Sequence, residues 1–169
     1  MVVIVCGLPG SGKSYFASQL ARQMNAEYLN TDKVRLEMYA ARTYSEEEKR
    51  SVYNRLLALA GQAVSQNRSV IIDGTFYTEQ IRNIFRNYFN EVVLYFIEIR
   101  AEESVIRERL NKPREFSEAD FSVYEKIRSQ WEPITGEHLG LQSTDSNINE
   151  MLTRATAWLH THHRPDNDQ

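Results

Sequence analysis

Eight consecutive residues near the amino end, Gly7-Leu8-Pro9-Gly10-Ser11-Gly12-Lys13-Ser14, fit the phosphate-binding pattern G-x-x-x-x-G-K-[ST] at every position. Glycines at 7, 10 and 12 allow positive φ and close backbone approach, so the successive amides of Gly7, Gly10, Ser11 and Gly12 can surround an anion at the positive end of a helix dipole. Lys13 can reach β- and γ-phosphate oxygens as a point charge, and the Ser14 hydroxyl can ligate Mg²⁺. The chemistry implied is the binding of a nucleoside triphosphate, ATP with Mg²⁺.

Two carboxylates and a basic stretch could act on such a ligand. Glu27 to Asn30 reads as a short strand, and Thr31-Asp32 opens a helix carrying Val34, Leu36 and Met38, with Arg35 on the same helix face as Asp32. Ser69 to Gly74 reads as a strand with Asp73 where it emerges, which suits Mg²⁺ held mainly through water. Thr75 and Phe76 follow at that edge, where they could line an acceptor pocket, and Phe76 suits the core equally well. Arg107, Arg109, Lys112 and Arg114 crowd the join between two helices, the first ended by Pro113 and the second opened by Ser117-Glu118-Ala119-Asp120. That pattern predicts a lid over about 107–120. Phosphoryl transfer depends on neutralising charge around the moving group, which gives lid arginines a purpose; spacing leaves open which of them serve.

The elements that must position these groups are legible around them. Val2 to Cys6 is an apolar, β-branched run suited to a strand covered on both faces, and Phe16, Ala17, Leu20, Ala21 and Met24 recur at helical spacing after the glycine loop. Ser45 to Glu48 forms a capping box before a long helix, with the charges at 46 to 50 expected in a solvated first turn. Thr78 is expected to cap a helix bearing Ile81, Ile84, Phe85, Tyr88 and Phe89, on which Arg82 and Arg86 read as solvated. Val92 to Ile99 and His138 to Gln142 read as the fourth and fifth strands; Ser143, Thr144, Asp145 and Asn147 form a polar turn before the last helix. Strands alternating with helices predict a parallel sheet layered by helices, with the strand ends that carry residues 7–14, Asp32, Asp73 and 143–145 on one edge.

The chain has 169 residues, 41% hydrophobic and 25% charged, which predicts one folded domain over 1–169 rather than disorder. No apolar run approaches the roughly 20 residues that span a bilayer, and the first strand leaves no room for a signal peptide, so the cytoplasm is the expected location. The single Cys6 excludes an internal disulfide and suits a buried strand position. A net charge of -3 provides no broad electrostatic footprint for nucleic acid, although a local groove needs none.

With these elements in place, the chain resembles the P-loop kinases related to polynucleotide kinase, chloramphenicol phosphotransferase and zeta-toxin-type kinases, often labelled AAA-type ATP-binding proteins. The resemblance rests on residues 7–14, the D-x-x-R element Asp32-Lys33-Val34-Arg35, the strand ending Asp73-Gly74-Thr75, and Arg109 and Arg114 before Ser117-Glu118-Ala119-Asp120. It implies an α/β P-loop NTPase three-layer sandwich, a five-stranded parallel sheet of order 2-3-1-4-5 and a small helical lid. It further implies that Asp32 is the general base, that Arg35 contacts acceptor or phosphate, that Arg109 and Arg114 clamp the nucleotide phosphates, and that Ser143, Thr144 and Asp145 border the adenine. The expected activity is transfer of the ATP γ-phosphoryl group to a hydroxyl, on a small molecule or a nucleic-acid end; an ATP-driven interaction module is the alternative. A GTPase switch fits poorly, because Phe76 stands third after Asp73 and Asn111-Lys112-Pro113-Arg114 ends in Arg.

Overall fold

In the computed structural model, which describes residues 1–112 and 119–162, five strands form a parallel sheet of order β2-β3-β1-β4-β5. Strand β1 (Val2–Cys6) lies at the centre, between β3 (Val70–Asp73) and β4 (Leu94–Arg100); β2 (Glu27–Asn30) and β5 (Leu139–Gln142) form the edges. The order expected from the resemblance is the order found. All five side chains of β1 are wholly buried, which is why the strand reads as a continuous apolar run rather than an alternating one. Val2, Ile4 and Cys6 face a core shared with α3 (Glu46–Ser65) and α4 (Glu79–Tyr88). Val3 and Val5 face the opposite core, with α1 (Lys13–Gln23) and α7 (Ile148–His162).

Turn and cap chemistry sets the helix starts. Ser45 accepts from the Glu48 amide, Thr78 from the Ile81 amide, and Asp120 from the Val123 amide at the head of α6 (Phe121–Ser129). Helix α6 therefore starts at Phe121, while the opening expected for it at Ser117 lies outside the described residues, as does Arg114. In α2 (Thr31–Met38) only Val34 of the expected apolar positions is buried; Leu36 and Met38 are exposed, because they lie off the helix face that Thr31, Val34 and Arg35 bury.

Two expectations about charge are corrected. Arg82 on α4 is 0% exposed, not solvated. Its guanidinium donates to the carbonyls of Phe76 (2.8 Å), Glu132 (2.7 Å) and Pro133 (3.1 Å) and to Glu79 (2.8 Å), which ties α4 to the segment after α6 and to the loop after β3. Glu48, expected in a solvated first turn, is 3% exposed and belongs to the site described next. Among the described residues no helix is long and apolar enough to cross a membrane.

Candidate active site

The glycine loop joins β1 to α1, and its conformation depends on its glycines. Gly10 and Gly12 have φ of 80° and 91°, values that other residues adopt only under strain. At Gly7 a Cβ would stand 2.4 Å from the Ile99 carbonyl oxygen of the neighbouring strand β4, so a side chain is excluded by contact. Gly12 is the residue before α1, and Lys13 and Ser14 open that helix, which directs its unpaired amides into the loop. The Lys13 ammonium lies 3.5 Å from the Leu8 carbonyl, folded over the loop. Ser11 is buried with its hydroxyl oxygen unpartnered by any protein group.

A cleft of about 720 Å³ opens over this loop, lined among others by Gly12, Lys13, Ser14, Asp32, Arg109 and Ser143. Four separate parts of the chain thus meet there. Arg109, on α5 (Glu103–Leu110), reaches the Gly10 and Ser11 carbonyls (3.4 and 3.2 Å) and the Ser143 hydroxyl (3.2 Å), and pairs with Asp145 (3.0 Å). Arg107 points elsewhere: it pairs with Glu103 and stacks on Phe121, 3.6 Å from the ring centroid. Arg107 and Arg109 are two apart on α5 and so lie on different faces of it. Ser143, Thr144 and Asp145 form a built turn after β5, with the Thr144 amide donating to Asn147 and Asn147 donating to the Gln142 carbonyl.

Asp73 is wholly buried at the end of β3, registered against Val5 on one side and Asn30 on the other. Its Oδ2 accepts from the Tyr28 hydroxyl (2.8 Å) and the Asn30 amide (2.5 Å); its Oδ1 has no protein partner. A buried carboxylate oxygen left unpaired is costly, and a cation or water at that position would satisfy it. Burial, followed by the neighbouring Asp73 charge, pushes the Tyr28 hydroxyl well above its ordinary value, so it stays protonated and donates. That hydroxyl is also 3.5 Å from the Ser14 carbonyl, which places Ser14 and Asp73 on the same small cluster. Asn30 both caps α2, through the Lys33 amide, and holds Asp73. Sequence reasoning missed both Tyr28 and Asn30, although an Asn between a strand and a helix start is a recognisable cap.

Asp32 stands in the first turn of α2, with Arg35 3.0 Å away, one turn on. Arg35 is only 8% exposed and turns away from the cleft toward Glu48, with its Nε 2.9 Å from Glu48 Oε1 as an ion pair rather than an aligned hydrogen bond. Glu48 accepts from the Thr43 amide (2.6 Å), the Thr43 hydroxyl (2.9 Å) and the Tyr44 amide (3.1 Å). Burial opposes its ionisation, but those hydrogen bonds and the Arg35 charge outweigh burial and hold its carboxyl below the ordinary value. Phe76, offered as an acceptor-pocket residue, is fully buried in the core against Tyr53 and Phe85. Burial pushes the Cys6 thiol up to about 12, which leaves it inert. Among the described residues no group of three or more His, Cys, Asp or Glu side chains is placed to hold a metal ion.

The fold is shared with solved kinases. A sugar kinase from Janibacter sp. HTCC2649 superposes with a TM-score of 0.73 at 20% identity over 94% of each chain. The APS kinase CysC of Mycobacterium tuberculosis, in complex with AMPPNP and APS, does so at 0.72 with 18% identity, over 94% of this chain and 96% of that one. A gluconokinase from Sinorhizobium meliloti 1021 reaches 0.68 at 18% identity, over 96% and 97%. No curated protein matches in sequence. Residues 2–134 match the model of the AAA domain family AAA_33, so this chain, with its P-loop kinase-like fold, belongs to that family.

Proposed function

We propose that the protein is an ATP- and Mg²⁺-dependent kinase that transfers the γ-phosphoryl group to the hydroxyl of an acceptor, a small molecule in the first instance and a polynucleotide end in the second. The observation that carries this function is the meeting of Lys13, Ser14 and Asp32 along one cleft. A cradle for phosphates alone would serve any nucleotide-binding protein; a carboxylate facing the same cleft adds a base. Lys13 and the amides of Gly7, Gly10, Ser11 and Gly12 would hold the phosphates, with Arg109 and Arg114 neutralising charge from the lid at about 107–120. Ser143, Thr144 and Asp145 would border the adenine. Ser14 and Asp73 would hold Mg²⁺, which would offset the charge of the phosphates.

Asp32 takes the proton from the acceptor hydroxyl as its oxygen bonds to the γ-phosphorus, the bond to the β–γ bridging oxygen breaks, and ADP leaves. Arg35 orients the Asp32 carboxylate through their ion pair. The working unit is the single domain 1–169, acting in the cytoplasm. The test is a γ-labelled ATP transfer screen over nucleosides, 5′-hydroxyl oligonucleotides, sugars and aminoglycoside- or chloramphenicol-like alcohols. Asp32→Asn is expected to retain ATP binding and lose about 10²-fold in transfer. A labelled product consisting only of free phosphate would refute the kinase, and unchanged transfer by the variant would remove Asp32 as base.

A further inference from the structure

Three features converge on the Arg35 guanidinium beside Asp32, and one residue joins them. Glu48 is a buried carboxylate in the first turn of α3, where helix-start acids ordinarily face water. Tyr44 has φ of 55°, a left-handed conformation that costs an aromatic residue free energy and persists only where its surroundings impose it. Its amide is one of the groups that Glu48 holds, and its ring lies over the Arg35 guanidinium at 5.0 Å from the centroid. Arg35 in turn has Glu48 on one edge (2.9 Å), Asp32 on another (3.0 Å) and the Tyr44 ring across its face.

We propose that Glu48 is a positioning residue for phosphoryl transfer: it fixes the Arg35 guanidinium against Asp32 and fixes the turn at Thr43 and Tyr44 that covers it, so that an acceptor hydroxyl meets a preformed pair. The proposal rests on the kinase function for what the pair is used for, and on geometry alone for what holds it. A guanidinium rotates freely about its stem in water; here two carboxylates at different edges leave it one orientation. Misplacement by about 1 Å at a reacting centre is enough to cost on the order of 10²-fold in rate, so a residue that touches neither nucleotide nor acceptor can still govern turnover.

The experiment uses the full chain and Glu48→Gln, which keeps an oxygen for the Thr43 and Tyr44 amides but removes the charge facing Arg35. Thermal melting and titration with a fluorescent ADP analogue check that fold and nucleotide site persist, with the dissociation constant unchanged within about twofold. The Arg35 Nε–H signal, assigned by its loss in Arg35→Lys, is expected to shift or broaden in the nitrogen-15 spectrum. With the best acceptor from the transfer screen, kcat is expected to fall about 10²-fold while KM for ATP stays constant. An unchanged Arg35 signal would overturn the proposal, and so would a displaced signal accompanied by wild-type kcat. If the wild-type protein transfers to no hydroxyl, the kinase function fails, and the Arg35 signal by itself still decides whether Glu48 holds the guanidinium.

Discussion

Replacing Arg82 by Met tests whether the buried guanidinium organises the loop after β3. The stem is kept, and the charged fork with its four contacts is lost. The Phe76 carbonyl is buried in that contact, and an acceptor left without a partner costs about 1–3 kcal/mol. The Glu132 and Pro133 carbonyls are partly accessible and would recover some of their loss from water. Glu79 retains Arg86 and Thr135, so it is not stranded. Summed with these discounts, the loss falls at about 3–5 kcal/mol, in the range for breaking a buried ionic contact. For a chain of this size it corresponds to a fall of about 6–20 °C in Tm. Urea unfolding followed by circular dichroism reads it as a lower midpoint at unchanged slope. Arg86→Met, at a partly exposed position, is the control and should cost under about 1 kcal/mol. A loss below about 1 kcal/mol in Arg82→Met, equal to that control, would refute the clasp.

Gly12→Ala places a Cβ 2.8 Å from the Ser143 hydroxyl oxygen and 3.1 Å from Arg109 at a φ of 91°. Strain of about 1–3 kcal/mol should weaken nucleotide binding about tenfold or more in a fluorescent-nucleotide titration; wild-type affinity would show that the loop relaxes freely. Glu79 supplies a pH signature: burial opposes its ionisation, but hydrogen bonds from Thr135, Arg82 and Arg86 drive its carboxyl down to about 2. A carboxylate depressed in the folded state contributes stability at higher pH that disappears as pH falls through the window from about 5 to about 2. The urea midpoint of the wild-type protein should therefore drop across that window more steeply than that of Glu79→Gln, and parallel profiles would contradict the assignment.

What could be read ahead of the structure was what local sequence determines. The loop at 7–14, the caps Ser45 and Thr78, and the apolar strands each carry their signal within a few residues, and each is found where expected, whereas α6 is capped by Asp120, three residues beyond the expected opening at Ser117. Strand order came only from family resemblance, because nothing in β1 names β3 and β4 as its neighbours. Arg82 and Glu48 were misjudged for a physical reason. Charged residues in a first turn default to solvent, and their burial depends on partners remote in sequence or in register: the carbonyls of Glu132 and Pro133 for Arg82, and Arg35 from the preceding helix for Glu48. The Asp73 cluster was half visible. Its carboxylate was marked by position at a strand end, whereas Tyr28 and Asn30 join it through the β2–β3 register, which the sequence of either strand alone does not contain.

The central position of β1 bears on how the chain reaches this state. Val2 to Cys6 is synthesised before either neighbour, and its partners begin at Val70 and Leu94. Until those strands emerge, an uncharged β-branched segment has both edges unpaired and both faces wet, the signature of an aggregation-prone window. Its hydrogen bonds close across long loops, so the sheet forms late and nearly all at once. On the proposed function, nucleotide would bind at the loop that follows β1 and so only after β1 has paired; ATP in the refolding buffer should then raise the yield of folded protein by trapping that end state without hastening the steps that precede it.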